Sequence, residues 1–376
     1  MPSAVELDGG NRVLKKLQEI NWGLVFLVCM ISCIGFAALY SAAGGDYHPW
    51  AYRQMVRFAI GFIIMISIAL IDVRWWYKFS WAIYIFGFLS LIYVEFAGQV
   101  GMGAQRWINI GGINIQPSEF MKIAIIMVLS RYFHNASLED MARWRYLIIP
   151  ALLIGAPVAL VMLQPDLGTA LMMCVAGGAM FFIAGAPMIL FIGIIVLGAL
   201  SVPVAWQFLH EYQKKRVMTF LDPSSDPLGS GYHITQSKIA LGSGGVEGKG
   251  FLNGTQSHLN FLPEKQTDFI FTLWSEEWGL LGGLTIIGLF ALIFIYGAII
   301  SSKSRNNYGR YLSLGLTINL SLYVFINIGM VMGLLPVVGA PLPMISYGGT
   351  SMIAALTAFG LMLSSSIYRD SKVTRV

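Results

Sequence analysis

Long apolar runs alternate with short polar segments from one end of the chain to the other. About ten of these runs are long enough to cross the roughly 30 Å hydrocarbon core of a bilayer as helices. The pattern therefore predicts an all-α integral membrane protein with about ten transmembrane helices. The predicted spans are 22–41, 54–72, 76–97, 117–133, 146–163, 167–184, 187–207, 269–299, 311–334 and 343–367.

The polar segments set the expected domain organisation. We expect one membrane domain at 22–368, preceded by a polar segment at 1–21 and followed by a short tail at 369–376. One connection, 208–267, is far longer than the others, and a connection of such length is either functional or disordered. Part of it, 232–241, has the apolar spacing of a helix that lies on a membrane surface.

Two glycine-rich segments are predicted to be loops. The segment 98–116 (GQVGMGAQRWINIGGINIQ) holds too many glycines to form a span, so we expect it to connect two helices. The segment 242–254 (GSGGVEGKGFLNG) belongs to the long connection. Its backbone is conformationally permissive, and we expect it to wrap closely around a ligand.

Composition strengthens the membrane interpretation, and the placement of charge adds an orientation. Charged residues make up 11% of the chain, against roughly 25% in soluble domains. Lys and Arg collect in the loops on the side of both termini, whereas the short loops of the opposite side hold only Arg53 and Arg106. The positive-inside rule predicts cytoplasmic termini and an outward-facing loop 208–267. The net charge of +5 reflects this topology and does not indicate nucleic-acid binding.

The leading candidate for chemistry is Asp268. It stands where the long connection runs into an apolar helix, in the stretch GTQSHLNFLPEKQTDFIF at 254–271. A carboxylate beside hydrocarbon is costly and tends to be kept there for a function. The residues alone leave two interpretations open, because an aspartate next to Thr267 also suits a helix cap.

Further charges lie where two helices are predicted to begin. Gln116-Pro117-Ser118-Glu119 and Gln164-Pro165-Asp166 both place a proline at a helix start and an acid in or near the first turn. Glu119 and Asp166 either interact with the helix dipole or face a shared outward cavity. Lys122, one turn further on, needs a partner such as Glu119 or a phosphate unless its ammonium reaches the membrane surface.

Several long motifs resemble the SEDS family (shape, elongation, division, sporulation) of bacterial wall-building membrane proteins. The resemblance covers nearly the whole chain. At 335–339 the chain reads LPVVG, without the lysine that division-type members usually carry there, so it resembles the elongation type. The motifs are GAQRWINIGGINIQPSEFMK, LQPDLGTAL, FLDPSSDPLGSGYHITQSKIALGSGG, GKGFLNGTQSHLNFLPEKQTDFIF and GLLPVVGAPLPMISYGGTS.

The resemblance implies a peptidoglycan glycosyltransferase of the bacterial inner membrane that polymerises lipid II during cell elongation and rod-shape maintenance. It implies a class B penicillin-binding protein and the elongation machinery as partners, and an undecaprenyl-pyrophosphate-linked glycan as the second substrate. The family's essential acid falls on Asp268, its RW loop on Arg106 and Trp107, and its QPSE helix on Glu119 and Lys122. The active site is then expected to face the periplasm.

Such a reaction joins a sugar hydroxyl to an anomeric carbon and releases a lipid pyrophosphate. Asp268 would act as the general base on the acceptor 4-hydroxyl. Arg106 and Lys122 are the cations closest to the outer ends of their segments, so we expect them to bind the pyrophosphate. Trp107 either stacks on a sugar or anchors the membrane interface. The remaining candidates for substrate contact are Glu119, Glu264, Lys265, Ser346 and Tyr347.

No tightly bound cofactor is expected. Cys29, Cys33 and Cys174 lie in apolar runs and form neither a disulfide framework nor a cysteine-based metal site. The sequence shows no preformed metal cage, so a divalent cation such as Mg²⁺ would be held by the pyrophosphate and one or two carboxylates. Gln266 and Asn260 depart from the family pattern, which often has histidine and glutamate there.

Two other functions fit the composition. A lipid II flippase would also contain intramembrane charges and broken helices, although the sites of transporters cluster at the bilayer midplane. A scaffold for the penicillin-binding protein would need no carboxylate at position 268. An acid at the outer lip, next to a long outward loop, favours the enzyme.

Overall fold

The computed structural model describes residues 15–101, 104–110, 113–208, 211–222, 226, 229–259, 261–262 and 264–373. Most of the predicted N-terminal segment, the end of the predicted tail, and Asn260 lie outside these ranges. The helices are α1 Trp22–Ala42, α2 Ala51–Leu70, α3 Val73–Ala97, α4 Pro117–His134, α5 Leu138–Ala142, α6 Trp144–Leu163, α7 Leu167–Ile183, α8 Met188–Phe208, α9 Glu211–Leu221, α10 Ser230–Ser243, α11 Thr255–His258, α12 Ile270–Lys303, α13 Asn307–Val331 and α14 Gly349–Ile367. The strands are β1 Gln99–Gly101, β2 Ala104–Ile110 and β3 Ile113–Ile115.

The predicted all-α membrane fold is confirmed. Each predicted span coincides with one of these helices, within a few residues at most ends. Among the described residues, seven helices are long and apolar enough to cross a membrane, and α7 and residues Met188–Val204 of α8 form two shorter apolar stretches. The chain is therefore a multi-pass membrane protein.

Helix α4 lies at the centre of the bundle. It begins with Pro117 at the first helical turn, where the missing N–H group has no intrahelical partner to lose. It packs against α3, α6, α7, α13 and α14, and most of its residues are buried. A helix surrounded by protein can carry charged side chains that lipid would not tolerate. This placement explains why Glu119 and Lys122 occur within a span.

The segment between α3 and α4 is a loop, as predicted, but it folds into a small antiparallel sheet. Strand β2 is central, with Gln99 of β1 opposite Trp107 and Ile115 of β3 opposite Ile108. The sequence did not reveal this sheet, because β1 and β3 are only three residues long and strands of that length give little periodicity. The sheet places Arg106 and Trp107 in the middle of a strand, at the end of the bundle where α4 begins.

The long connection is ordered over its described residues. It contains α9, α10 and α11, and the predicted helix at 232–241 is confirmed as α10. The glycine-rich segment 242–254 wraps a break in α12 at Gly279 rather than an open ligand site. There φ is 63° and ψ is −160°. The carbonyls of Gly245 and Val246 accept from the N–H groups of Leu280 and Leu281 at 2.9 and 3.2 Å.

Two buried carboxylates fasten the long connection to the bundle. Glu276 accepts from the Lys249 ammonium at 2.8 Å and from the Ser257 hydroxyl at 2.8 Å. Glu277 accepts from the Ser41 hydroxyl and lies 3.1 Å from Nε2 of His258. The connection is thereby tied to both α1 and α12. This attachment fixes the stretch of chain that leads into Asp268.

Candidate active site

A cavity of about 610 Å³ opens at the end of the bundle that carries the long connection. Volumes of this order are typical of small-molecule sites. Its wall combines strand β2, the first turns of α4, α7 and α14, and the two segments that precede α12 and α14. The lining residues are Arg106, Trp107, Gln116, Glu119, Pro165, Asp166, Thr169, Met172, Glu264, Thr267, Asp268, Val338, Gly339, Pro341, Tyr347, Gly348, Gly349, Thr350 and Ser351.

Asp268 lies in this wall, two residues before α12 begins. The three residues that follow it, Phe269, Ile270 and Phe271, are buried. The carboxylate therefore stands at a boundary, with the cavity on one side and packed apolar side chains behind the following turn. Its backbone carbonyl accepts from Nδ2 of Asn327 at 2.9 Å.

Arg106 and Asp166 meet across the cavity wall. The guanidinium lies 3.6 Å from a carboxylate oxygen of Asp166 and donates to the Pro165 carbonyl at 2.7 Å. Asp166 is also the N-cap of α7, where it accepts from the backbone N–H of Thr169 at 3.1 Å. Both interpretations of Asp166 therefore apply, because the same carboxylate caps a helix and lines the cavity.

Glu119 and Lys122 form an ion pair inside the bundle. Nζ of Lys122 lies 2.7 Å from Oε1 of Glu119 and also donates to the Tyr323 hydroxyl. The Tyr323 hydroxyl in turn donates to Oε2 of Glu119 at 2.6 Å. Glu119 lines the cavity, whereas Lys122 is only 2% exposed and lies behind it. Lys122 thus has the carboxylate partner that sequence reasoning allowed.

The other predicted site residues fall into two groups. Trp107, Glu264 and Tyr347 line the cavity. Lys265 and Ser346 do not. The Lys265 ammonium donates to the Ser257 carbonyl at 2.8 Å, and burial lowers the pKa of this lysine. Ser346 donates to the Thr267 carbonyl at 2.6 Å. Both therefore support the wall from behind, and direct substrate contact stays a prediction for every one of these residues and for Lys122.

Helix N-termini converge on the cavity. Gln116, Asp166 and Gly348 are the N-caps of α4, α7 and α14, and all three line it. The N-cap residues of α4 and α14 supply no side-chain cap of their own, although Thr350 and Gln54 accept from the backbone N–H groups of Gln116 and Gly348. Because a helix N-terminus carries partial positive charge, these three helix ends favour an anionic group beside them.

Sequence reasoning missed part of the wall. Val338, Gly339 and Pro341 precede α14 and line the cavity together with Asp268. They belong to the motif GLLPVVGAPLPMISYGGTS, whose proline and glycine content marks a fixed loop but gives no partner. Asn327 was also missed, although a polar amide in an apolar span is a recognisable signal.

The wall holds more acids than bases. Glu119, Asp166, Glu264 and Asp268 line it, with Arg106 as the cation among the described lining residues. Over the described ranges, no group of three or more His, Cys, Asp or Glu side chains is arranged to hold a metal ion. The three cysteines are free thiols; Cys29 and Cys33 lie one turn apart on α1, and Cys174 lies on α7.

The fold and motifs match known proteins over nearly the full length. Residues 17–371 match the FTSW_RODA_SPOVE family model, described as cell cycle protein. The chain is 41% identical to peptidoglycan glycosyltransferase MrdB of Escherichia coli K12, over 93% of this chain and 95% of that protein.

Two solved structures share the fold. A chain from a peptidoglycan synthase complex that coordinates polymerization and crosslinking has a TM-score of 0.83 at 31% identity, covering 94% of this chain and 99% of that one. The rod shape determining protein RodA of Thermus thermophilus has a TM-score of 0.71 at 28% identity, covering 94% and 98%. The chain therefore belongs to the FtsW/RodA/SpoVE family of cell cycle proteins, the SEDS family that its motifs resemble.

Proposed function

We propose that this chain is a peptidoglycan glycosyltransferase that polymerises lipid II, with Asp268 as the general base. Family membership and the activity named for its Escherichia coli relative support the reaction class. The observation that carries the residue assignment is the position of Asp268 in the wall of a cavity of about 610 Å³. That cavity is large enough for saccharide units beside the carboxylate.

The base step follows from the chemistry of a sugar alcohol. The acceptor 4-hydroxyl attacks the anomeric carbon of the donor, Asp268 takes the hydroxyl proton, and the bond to the lipid pyrophosphate breaks. A hydroxyl is a poor nucleophile near neutral pH, so a positioned carboxylate accelerates the reaction by roughly 10²–10⁴-fold. The lipid pyrophosphate leaves with the electron pair of the broken bond.

The charges of the wall suit a pyrophosphate that arrives with a cation. Arg106 is paired with Asp166, and Lys122 is paired with Glu119. Glu264 and Asp268 add two more carboxylates to the lining. A divalent cation such as Mg²⁺, held by pyrophosphate oxygens and one or both of these carboxylates, would offset that negative charge. The N-termini of α4 and α14 would bind the phosphate oxygens.

The cavity and the long connection lie at the same end of the bundle. The positive-inside rule assigns that end to the periplasm and both termini to the cytoplasm of the bacterial inner membrane. A solved relative belongs to a complex that couples polymerization to crosslinking. This supports a crosslinking transpeptidase, a class B penicillin-binding protein of the elongation machinery, as the partner of this chain.

Polymer formation in detergent tests the proposal. The protein, purified with its transpeptidase partner, is given labelled lipid II, and the glycan products are separated by size. Detergent micelles have no two sides, so a flippase produces no signal and a scaffold produces no polymer. We expect polymer from the unmodified protein and from Asp46→Asn, which changes an exposed acid in an outer loop.

Asp268→Asn keeps the size of the side chain and removes its basicity. We expect this variant to reach the membrane and bind its partner but to make no polymer. Polymer at the unmodified rate from Asp268→Asn would refute the general-base role, while leaving the reaction class intact.

A further inference from the structure

Asn327, on α13, joins the two segments of chain that form the wall around Asp268. Its Nδ2 donates to the carbonyl of Asp268 at 2.9 Å and to the carbonyl of Ala340 at 2.7 Å. Both amide hydrogens are therefore used, one for each segment. Asn327 is 0% exposed, so water cannot replace either bond.

The first segment, 266–268, depends on such bonds because it lies outside any helix or strand. Each of its three carbonyls accepts one bond from another part of the chain. The N–H of Tyr347 donates to the carbonyl of Gln266 at 2.8 Å, and Ser346 donates to that of Thr267 at 2.6 Å. Asn327 supplies the third bond, to the residue that carries the carboxylate.

The second segment contains the backbone that faces the carboxylate. Gly339 has a φ of +75°, a conformation that favours glycine. An added Cβ at Gly339 would lie 3.5 Å from Oδ2 of Asp268. Oδ2 of Asp268 thus lies near the backbone at Gly339, and Asn327 bonds to the carbonyl of the next residue, Ala340. One side chain therefore sets both the position of Asp268 and the surface against which its carboxylate lies.

We propose that Asn327 is a positioning residue, which holds the carboxylate of Asp268 where it can reach the acceptor hydroxyl. This inference rests on the proposed base role. A general base must lie about 2.6–3.2 Å from the atom whose proton it takes. A misplacement of about 1 Å costs as much as 10²-fold in rate. Without Asn327, the carbonyls of Asp268 and Ala340 lose this shared donor and the segments at 268 and 340 can separate.

The test separates positioning from general stability by comparing kcat with KM for lipid II. Asn327→Ala removes both donors. Asn327→Asp keeps the shape of the side chain, and as a neutral acid it supplies at most one donor. Ser313→Ala is the matched control, because it changes a fully buried hydroxyl of the same helix that has no hydrogen-bond partner. Ser313 lies about 21 Å along the helix from Asn327.

We expect Asn327→Ala to lower kcat by about 10–10²-fold with KM within about twofold of the unmodified protein. Asn327→Asp should lose less activity, and Ser313→Ala should retain full activity. If Asn327→Ala does not fold, kcat and KM of Asn327→Asp are compared with those of the unmodified protein instead, because that side chain has nearly the same size.

A folded Asn327 variant with unchanged kcat would overturn the inference. So would a loss that appears in KM and thermal stability together, since that pattern indicates support of the fold alone. Asp268→Asn, measured in the same assay, keeps the two proposals apart. If that variant is inactive while Asn327→Ala turns over normally, only the positioning role fails. If Asp268→Asn makes polymer, the base role itself fails.

Discussion

Replacing Lys122 by methionine removes one half of an ion pair from the interior of the bundle. Nζ of Lys122 lies 2.7 Å from Oε1 of Glu119, and both residues are buried. Methionine has a similar length and is apolar, so the substitution removes the charge while filling most of the space. It leaves the Glu119 carboxylate buried. Among the described side chains, the Tyr323 hydroxyl is then its remaining hydrogen-bond donor.

The distance gives the size of the effect. At an effective dielectric constant of about 20, two unit charges 2.7 Å apart attract by about 6 kcal/mol. Desolvation of the two ions opposes this by several kcal/mol each, so the net value of the pair is small. Removal of one partner leaves an uncompensated charge, which lowers the free energy of unfolding by about 3–5 kcal/mol. We expect Lys122→Met to fall in this range.

The double variant Glu119→Gln/Lys122→Met provides the sharper comparison. With both charges removed, no buried ion lacks a partner. The double variant should therefore lose much less free energy of unfolding than Glu119→Gln and Lys122→Met lose together. Unfolding is measured by titrating purified protein in mild detergent with a denaturing detergent. Lys303→Met, at the exposed end of α12, is the control and should change little.

Two results would refute this reasoning. One is a Lys122→Met variant as stable as the control, because a buried carboxylate without its partner must be costly. The other is a double variant whose loss equals the sum of the single losses. Polymer assays on the double variant then address the predicted phosphate contact. A stable double variant without activity, beside an active Glu119→Gln single variant, supports it, whereas normal turnover of the double variant leaves Lys122 as a structural partner of Glu119.

Two further predictions concern the attachment of the long connection. Glu276 is fully buried and pairs with Lys249, so Glu276→Ala should cost about 3–5 kcal/mol and speed protease cleavage at 245–258. Glu247→Gln, at an exposed position of the same segment, should change neither stability nor cleavage. Equal cleavage rates for the Glu276→Ala and Glu247→Gln variants would contradict the attachment. Gly279→Ala should sharply lower thermal stability, since its φ of 63° and ψ of −160° are nearly restricted to glycine. Gly288→Ala has open space around its added Cβ and should be tolerated; equal melting temperatures would be inconsistent with this account.

The positions of the spans followed from hydropathy because the bilayer imposes a strict rule. A segment in hydrocarbon must satisfy its backbone internally, so a long apolar run has one accessible structure. The run 269–299 is a case in which hydropathy predicts the span but not the shape of its helix. Its helix is interrupted at Gly279, and the freed N–H groups bond to Gly245 and Val246. Such a break depends on a segment more than thirty residues away in sequence, which periodicity does not report.

In the candidate site, too, one part was predictable from the sequence and another part was not. Asp268 stood out because an acid beside an apolar run is rare and costly. The partners of the charged residues could not be predicted from the sequence, because only the fold brings them together. Arg106 bonds to a carbonyl 59 residues away, and Asn327 to one 59 residues before it. Lys122 is the exception, because a partner one helical turn away is readable from spacing.

The placement of Asp268 just before a helix, rather than within one, has a physical consequence. Inside a helix its carbonyl would accept from the residue four positions later, and the carboxylate would follow the helix surface. Outside, the carbonyls of 266–268 accept from Asn327, Ser346 and Tyr347. Those donors belong to α13 and to the segment before α14, which also lines the cavity. The carboxylate and the opposite wall therefore share one set of hydrogen bonds, so a shift of either wall moves the other. Precision of this kind is what a general base requires, because its rate depends on the separation between carboxylate and hydroxyl.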